Sequence, residues 1–185
     1  MKVIFLDFDG VLNCEEFFKE VYNNKNGKYD ELKKYSFKIV DERKIIILSE
    51  IVKITGAKVV ISSSWRWDWK DGIDNLEFEA SKYIQSLFDK YDIDIIGITP
   101  KVAGGNGKRS SNSWRENEIK EYLSTHEDIE SFCVIDDDIE DLETLRNYLI
   151  TTSFNKTEND DGGLQESHIN EAVKILNRKR NIKIY

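Results

Sequence analysis

Positive charge is the minority sign in this chain: 27 Lys and Arg stand against 35 Asp and Glu, a formal net charge of −8. Proteins that coat nucleic acids or membrane surfaces nonspecifically rely on clustered positive charge. Stable nonspecific nucleic-acid binding is therefore not expected, although a local basic groove is compatible with the count. Cysteine is scarce. Cys14 and Cys133 are far apart, and Cys133 lies in the apolar run Phe132-Cys133-Val134-Ile135, which predicts a buried thiol in place of a disulfide or metal site. The two histidines, His126 and His168, fall in polar helical patterns and are expected at the surface without partners. No apolar run approaches the roughly 20 residues of a membrane span, and Met1-Lys2 leads directly into an apolar run. The expectation is a cytoplasmic protein with no membrane partner. With 185 residues, 39% of them apolar, the chain suits one domain over 1–185 with a sizeable core; composition leaves the oligomeric state open.

Apolar runs are present but short. Val3–Leu6, Lys58–Ile61, Ile93–Ile98, Phe132–Ile135 and Tyr148–Thr152 alternate with helical patterns, and such alternation predicts an α/β fold with a parallel sheet. Asp41 opens a helical segment carrying Ile45, Leu48, Ile51 and Val52, and Gly56 ends it. Further helices are expected near 77–91, over 138–147 and over 166–177. Ser113-Trp114-Arg115-Glu116 has the form of a capping box, which places a helix start at residue 114. No repeat or low-complexity tract occurs. Three segments fit no regular element: 15–40, 65–76 and 101–112. The first is rich in aromatics and follows an acidic strand end, so it either folds over that end as a lid or packs onto the body. Gly104-Gly105-Asn106-Gly107-Lys108 has the composition of a phosphate-cradling loop without its full spacing.

Chemistry collects at the strand ends. The first run continues as Asp7-Phe8-Asp9-Gly10, the second as Ser62-Ser63-Ser64, and the fourth as Asp136-Asp137-Asp138. Acid spacing alone says little, since Asp92-Ile93-Asp94 repeats it with no expected chemical role. Position decides, because ligands of open parallel sheets bind beyond the carboxyl ends of the strands. Crowded carboxylates raise one another's pKa unless a cation holds them ionised, which points to a hard divalent ion, Mg²⁺ first. Hydroxyls, a helix start and the Arg115 guanidinium suit phosphate oxygens. A phosphate ester is the expected substrate class. Trp65-Arg66-Trp67-Asp68-Trp69 either stacks on a base or sugar or packs inward, with Arg66 a further candidate phosphate contact.

In motif order the chain resembles the haloacid dehalogenase-like (HAD) phosphohydrolases, and its pattern "FLDFDGVLN", "SSSWR", "R-x-x-E-I", "VIDDD" is most similar to the HAD domains of Swiss Army Knife RNA-repair proteins. The resemblance implies a Rossmann-like three-layer sandwich around a five-stranded parallel sheet, with 14–40 a short lid inserted after the first strand. It implies an Mg²⁺-dependent phosphatase acting on a phosphorylated small molecule, a nucleotide or a nucleic-acid end. Asp7 would attack phosphorus and form an aspartyl-phosphate. Asp9 would be general acid and base, and Ser62 would hold a phosphoryl oxygen. Ser63, Arg66, Lys108 and Arg109 would contact substrate. Asp7, the Asp9 carbonyl, and Asp136 or Asp137 would bind the metal, with Asp141 a further candidate. For the basic third motif, Lys101, Lys108, Arg109 and Arg115 compete; Arg115 is preferred for its helix-start position one helix and a turn before Asp136. The alternative is a non-catalytic phosphate-binding or receiver-like module, disfavoured because the third strand ends Gly97-Ile98-Thr99 with no acid.

Overall fold

The computed structural model of the protein describes residues 1–23, 39–69, 78–101, 114–158 and 160–178, with 67 and 68 as backbone only. Strands β1 (Lys2–Leu6), β2 (Lys58–Ile61), β3 (Ile95–Ile98), β4 (Ser131–Asp136) and β5 (Leu149–Thr151) form one parallel sheet in the order β3-β2-β1-β4-β5. β1 lies at the centre because it is apolar at every position from Val3 to Leu6, and a strand buried on both faces needs no polar alternation. Its alternate residues serve two cores. Ile4, Leu6 and, past the strand end, Phe8 join one cluster with Val59, Ile61, Cys133 and Ile135. Val3 and Phe5 join the other with Val60, Phe132 and Val134.

Helices cover both faces, so the fold is an α/β sandwich of three layers. On the first face lie α2 (Glu42–Thr55), α3 (Glu79–Lys90) and α5 (Ser167–Leu176), contributing Ile45, Leu48, Ile51, Ile84, Phe88, Ala172 and Ile175. On the second lie α4 (Trp114–Thr125) and a 3₁₀ helix over Glu140–Tyr148, contributing Ile119, Leu123, Leu142 and Leu145. α1 (Glu15–Asn23) follows the acidic end of β1. The caps of α2 are as expected: the Asp41 carboxylate accepts from the Arg43 N–H at 3.0 Å, and Gly56, at φ 69°, closes the helix through its N–H on the Val52 carbonyl.

Several boundaries move. β3 begins at Ile95 and α3 at Glu79. The segment expected as a helix over 138–147 is instead the 3₁₀ helix, kinked where Leu142 takes φ −137° and ψ 34° to bury its side chain. Glu116, expected to close a capping box, accepts from the Thr144 N–H at 2.8 Å, the Thr144 hydroxyl at 2.6 Å and Lys120 at 2.6 Å, tying α4 to the 3₁₀ helix. Ser113, the other half of that box, lies outside the described residues, as do 24–38 of the expected lid and the glycine-rich stretch 104–107. No helix among the described residues is long and apolar enough to cross a membrane.

Phe8 is the anchor between the two acids of β1. It is fully buried and meets Trp65, Trp69 and Phe88 edge-on, with centroids 5.3, 6.0 and 6.4 Å away. Truncation to Phe8→Ala is expected to cost about 3–5 kcal/mol of stability; urea unfolding measures it, and a loss under about 1 kcal/mol contradicts the anchoring role.

Candidate active site

The sheet's hydrogen-bond ladder runs one residue past β1, β2, β3 and β5 and fixes a row at its carboxyl edge. Asp7 N–H donates to the Ile135 carbonyl at 3.0 Å, Ser62 N–H to Leu6 at 2.8 Å, Thr99 N–H to Ile61 at 2.9 Å and Thr152 N–H to Asp136 at 3.1 Å. The parallel register pairing Leu6 with Ile135 brings Asp7 beside Asp136. Backbone amides pin this row, so its side chains project from rigid positions. Among the described residues, Ser62 Oγ, Asp136 Oδ2 and Thr152 Oγ1 are buried there without a hydrogen-bond partner. Buried polar atoms are normally satisfied, so these three, spread from β2 to β5 along the carboxyl edge, leave hydrogen-bonding capacity there for water or a polar ligand.

Asp7, Asp136 and Asp137 bring carboxylate oxygens within 4.8 Å of one another. Burial raises the Asp7 pKa against the pull of Arg115 and of the Ser63 hydroxyl bonded to it. Burial, then repulsion from Asp7, pushes Asp136 up to about 7 and Asp137 to about 6. Arg115 Nη1 donates to Asp7 Oδ1 at 3.1 Å and stands 3.6 Å from Asp136 Oδ2. Burial lowers the Arg115 pKa, but Asp7 and Asp136 outweigh it and hold the guanidinium above its ordinary value. Three hard oxygen donors beside one arginine fit a hard divalent cation such as Mg²⁺. Gly10 makes the cluster possible: its φ is +70°, and a Cβ there would overlap the Asp137 carboxylate.

Asp9 stands apart from that cluster. Trp65 Nε1 donates to its Oδ2 at 2.7 Å and Asn13 Nδ2 to its Oδ1 at 3.0 Å. Asn13 was not legible as a site residue, and Trp65 only as a candidate for stacking on a base or sugar. Asn13 lies four residues on, a spacing that could have suggested it, whereas the Trp65 contact is purely tertiary.

Of the other expected site residues, Ser62 and Ser63 are fully buried at the end of β2. Arg66, expected to touch substrate, turns inward: Nη1 donates to the Ser63 carbonyl at 2.8 Å and Nη2 to Glu118 Oε1, one turn after Arg115 on α4. Burial lowers the Arg66 pKa and raises that of Glu118, each opposed by the other's charge. Lys101 is exposed and acts on Glu118, while Arg115 reaches Asp7. Lys108 and Arg109 lie outside the described residues. Asp141 is not a member of the carboxylate cluster. The stacking alternative fails for Trp65 and Trp69, which are buried against Phe8; burial of a large apolar ring outweighs exposure for a ligand that is only intermittently present. Both cysteines are free and buried. The histidines have partners after all: the His126 ring stacks on Tyr122 at 3.9 Å, and His168 Nδ1 accepts from the Gln165 N–H at 3.0 Å.

This arrangement has a counterpart among known families. The model of the family described as the HAD domain in Swiss Army Knife RNA repair proteins matches residues 3–168. The chain belongs to that family. The match spans every strand and the whole carboxyl-edge row, and membership in a HAD family points to phosphohydrolase activity. No curated protein and no solved structure gives a significant match.

Two expectations follow from the site's electrostatics. Glu118→Ala removes the carboxylate paired with buried Arg66 and is expected to destabilise by about 3–5 kcal/mol; thermal and urea unfolding read it out, and a neutral substitution overturns the brace. The second concerns pH. A carboxyl group whose folded pKa lies above its unfolded value favours the folded state fully below about pH 4 and loses that contribution as pH rises through the folded pKa. With divalent cations chelated, stability should therefore fall between about pH 5 and 7, by about 1 kcal/mol per pH unit for each such group. Asp136→Asn should flatten that slope; an unchanged slope assigns it elsewhere.

Proposed function

We propose that the protein is an Mg²⁺-dependent phosphatase that hydrolyses a phosphate monoester through an aspartyl-phosphate on Asp7. The observation that carries this reading is the placement of the Asp7 carboxylate, bonded to Arg115 and crowded by Asp136 and Asp137, at the carboxyl end of the central strand. An ionised Asp7 oxygen attacks phosphorus, an O–P bond forms, and the ester P–O bond breaks. Asp9 gives its proton to the departing oxygen. It then takes a proton from water, whose oxygen attacks phosphorus and releases Asp7 and inorganic phosphate.

The orphan Ser62 hydroxyl donates to a phosphoryl oxygen, and Arg115 offsets the charge that builds there. Ser63 orients Asp7 through its hydroxyl. Asp7, the Asp9 carbonyl, and Asp136 or Asp137 would hold Mg²⁺, which when bound neutralises phosphoryl charge during transfer. Arg66, given its partners, braces α4 against the end of β2 instead of meeting substrate; Lys108 and Arg109 remain candidates for substrate contact. The RNA-repair family favours a phosphorylated nucleic-acid end or nucleotide over a phosphorylated small metabolite. One HAD-like domain with a short insertion over 14–40, in a reducing cytoplasmic setting, accords with the free buried thiols.

Phosphate release from an aryl phosphate and from 5′- and 3′-phosphorylated oligoribonucleotides, with Mg²⁺ or with chelator, tests the reading. Turnover is expected only with Mg²⁺. Asp7→Asn should lose at least about 10³-fold, and Arg115→Ala about 10²–10³-fold. Phosphate release undiminished in Asp7→Asn sinks the mechanism, and tight phosphate binding without turnover by the wild type supports a binding module instead.

A further inference from the structure

We propose that Asn13 and Trp65 are positioning residues for Asp9, one N–H donor on each carboxylate oxygen, which confine the general acid–base to a single orientation; the proposal rests on the phosphatase reading above. Asp9 follows the last ladder-fixed residue of β1 by two positions and lies in the turn where Val11, Leu12 and Asn13 all donate to the Phe8 carbonyl, at 3.2, 2.8 and 3.3 Å. Asp9 is half-buried, and an aspartate side chain in such a place has several staggered rotamers open to it. Proton transfer needs one of them, since acid and leaving oxygen must meet at about 2.6–3.2 Å.

The two donors are themselves fixed, which is what makes the clamp effective. Asn13 is fully buried, and its carboxamide is bound at both ends. Oδ1 accepts from the Gly10 N–H at 3.2 Å, and Nδ2 donates to the Ile39 carbonyl at 3.3 Å as well as to Asp9 at 3.0 Å. Aspartate has Asn13's shape without its donor, and leucine has neither donor nor acceptor. Trp65 is held by its ring, 6% exposed and edge-on to Phe8 at 5.3 Å, so the indole N–H can point only along its 2.7 Å bond to Asp9. Phe8, between the two acids in sequence, thus sets the Trp65 donor by packing.

Each carboxylate oxygen can accept about two hydrogen bonds. One donor on each therefore orients Asp9 and still leaves acceptor capacity for the proton it gives to the leaving oxygen and recovers from water. The clamp also keeps Asp9 out of the cluster formed by Asp7, Asp136 and Asp137, so a cation bound there does not compete for the same carboxylate.

The test is a leaving-group series. For aspartyl-phosphate formation, kcat/KM reports the steps up to leaving-group departure, and an acidic phenol departs with little need of a proton while a more basic phenol needs one. With Mg²⁺, kcat/KM is measured on nitrophenyl phosphate and on unsubstituted phenyl phosphate for wild type, Asp9→Asn, Trp65→Phe and Asn13→Asp, each checked for folding by thermal melting. Trp65→Phe keeps an aromatic body and removes the N–H. The ratio of nitrophenyl to phenyl kcat/KM is expected to rise about 10-fold or more in Trp65→Phe and Asn13→Asp, in the direction of Asp9→Asn, because general acid catalysis contributes about 10²–10⁴-fold. A loss equal on both substrates shows a structural role alone and overturns the proposal, as does wild-type behaviour on both. Should Trp65→Phe fail to fold, benzothienylalanine at 65, with sulfur in place of the N–H, makes the same measurement in an unchanged shape. Absence of turnover by wild type, or full turnover by Asp7→Asn, overturns the phosphatase reading itself and this proposal with it.

Discussion

Like charges directly beside one another on neighbouring strands destabilise a sheet, and here the register of β1 and β4 places Asp7 beside Asp136, both buried, at the carboxyl ends of the strands. Asp137 adds a third carboxylate within 4.8 Å. Buried carboxylates in that number cannot all stay ionised without a cation. Arg115 compensates part of the charge; burial first, and for Asp136 and Asp137 also repulsion from Asp7, still holds the pKa values of the three acids up. Ladder hydrogen bonds hold Asp7 and Asp136 so that they cannot separate, and Gly10 leaves the room into which Asp137 leans. The sheet accepts this electrostatic load only at its carboxyl end, where the apolar strands beneath supply the stability that the row of acids withholds.

Much of this was legible in the order of residues. Continuous apolar runs marked the parallel strands because strands covered on both faces show no alternation, and the site acids followed from their places at strand ends. Arg115 was legible because a helix start can be read from local spacing even though its expected partner Glu116 serves the 3₁₀ helix instead. What escaped was decided by tertiary partners. Arg66 in isolation looks like any cation near a phosphate site; the buried Glu118 across from it and the Ser63 carbonyl are among the partners that turn it inward. For Trp65 and Trp69, in a stretch mixing aromatics with charge, the sequence left stacking on a ligand and inward packing open, and Phe8 decides for packing by giving both rings an apolar wall. The helix expected over 138–147 is 3₁₀ with a kink at Leu142, and Leu142 and Leu145 are both buried in it.

The turn after β2 concentrates these dependencies. Within five residues, Ser62 offers an orphan hydroxyl, Ser63 bonds Asp7, Trp65 bonds Asp9 and Arg66 bonds Glu118 on the helix that carries Arg115. From Ser64 the segment continues as a second 3₁₀ helix, Ser64–Trp69, whose roughly three residues per turn send Trp65 and Arg66 toward different neighbours, Asp9 and α4. Because Trp65 and Arg66 have their rings and charges buried, neither can shift without moving the other's surroundings. Asp7, Asp9 and the helix that carries Arg115 are thereby all tied to a single turn packed on Phe8 and not to three independent loops.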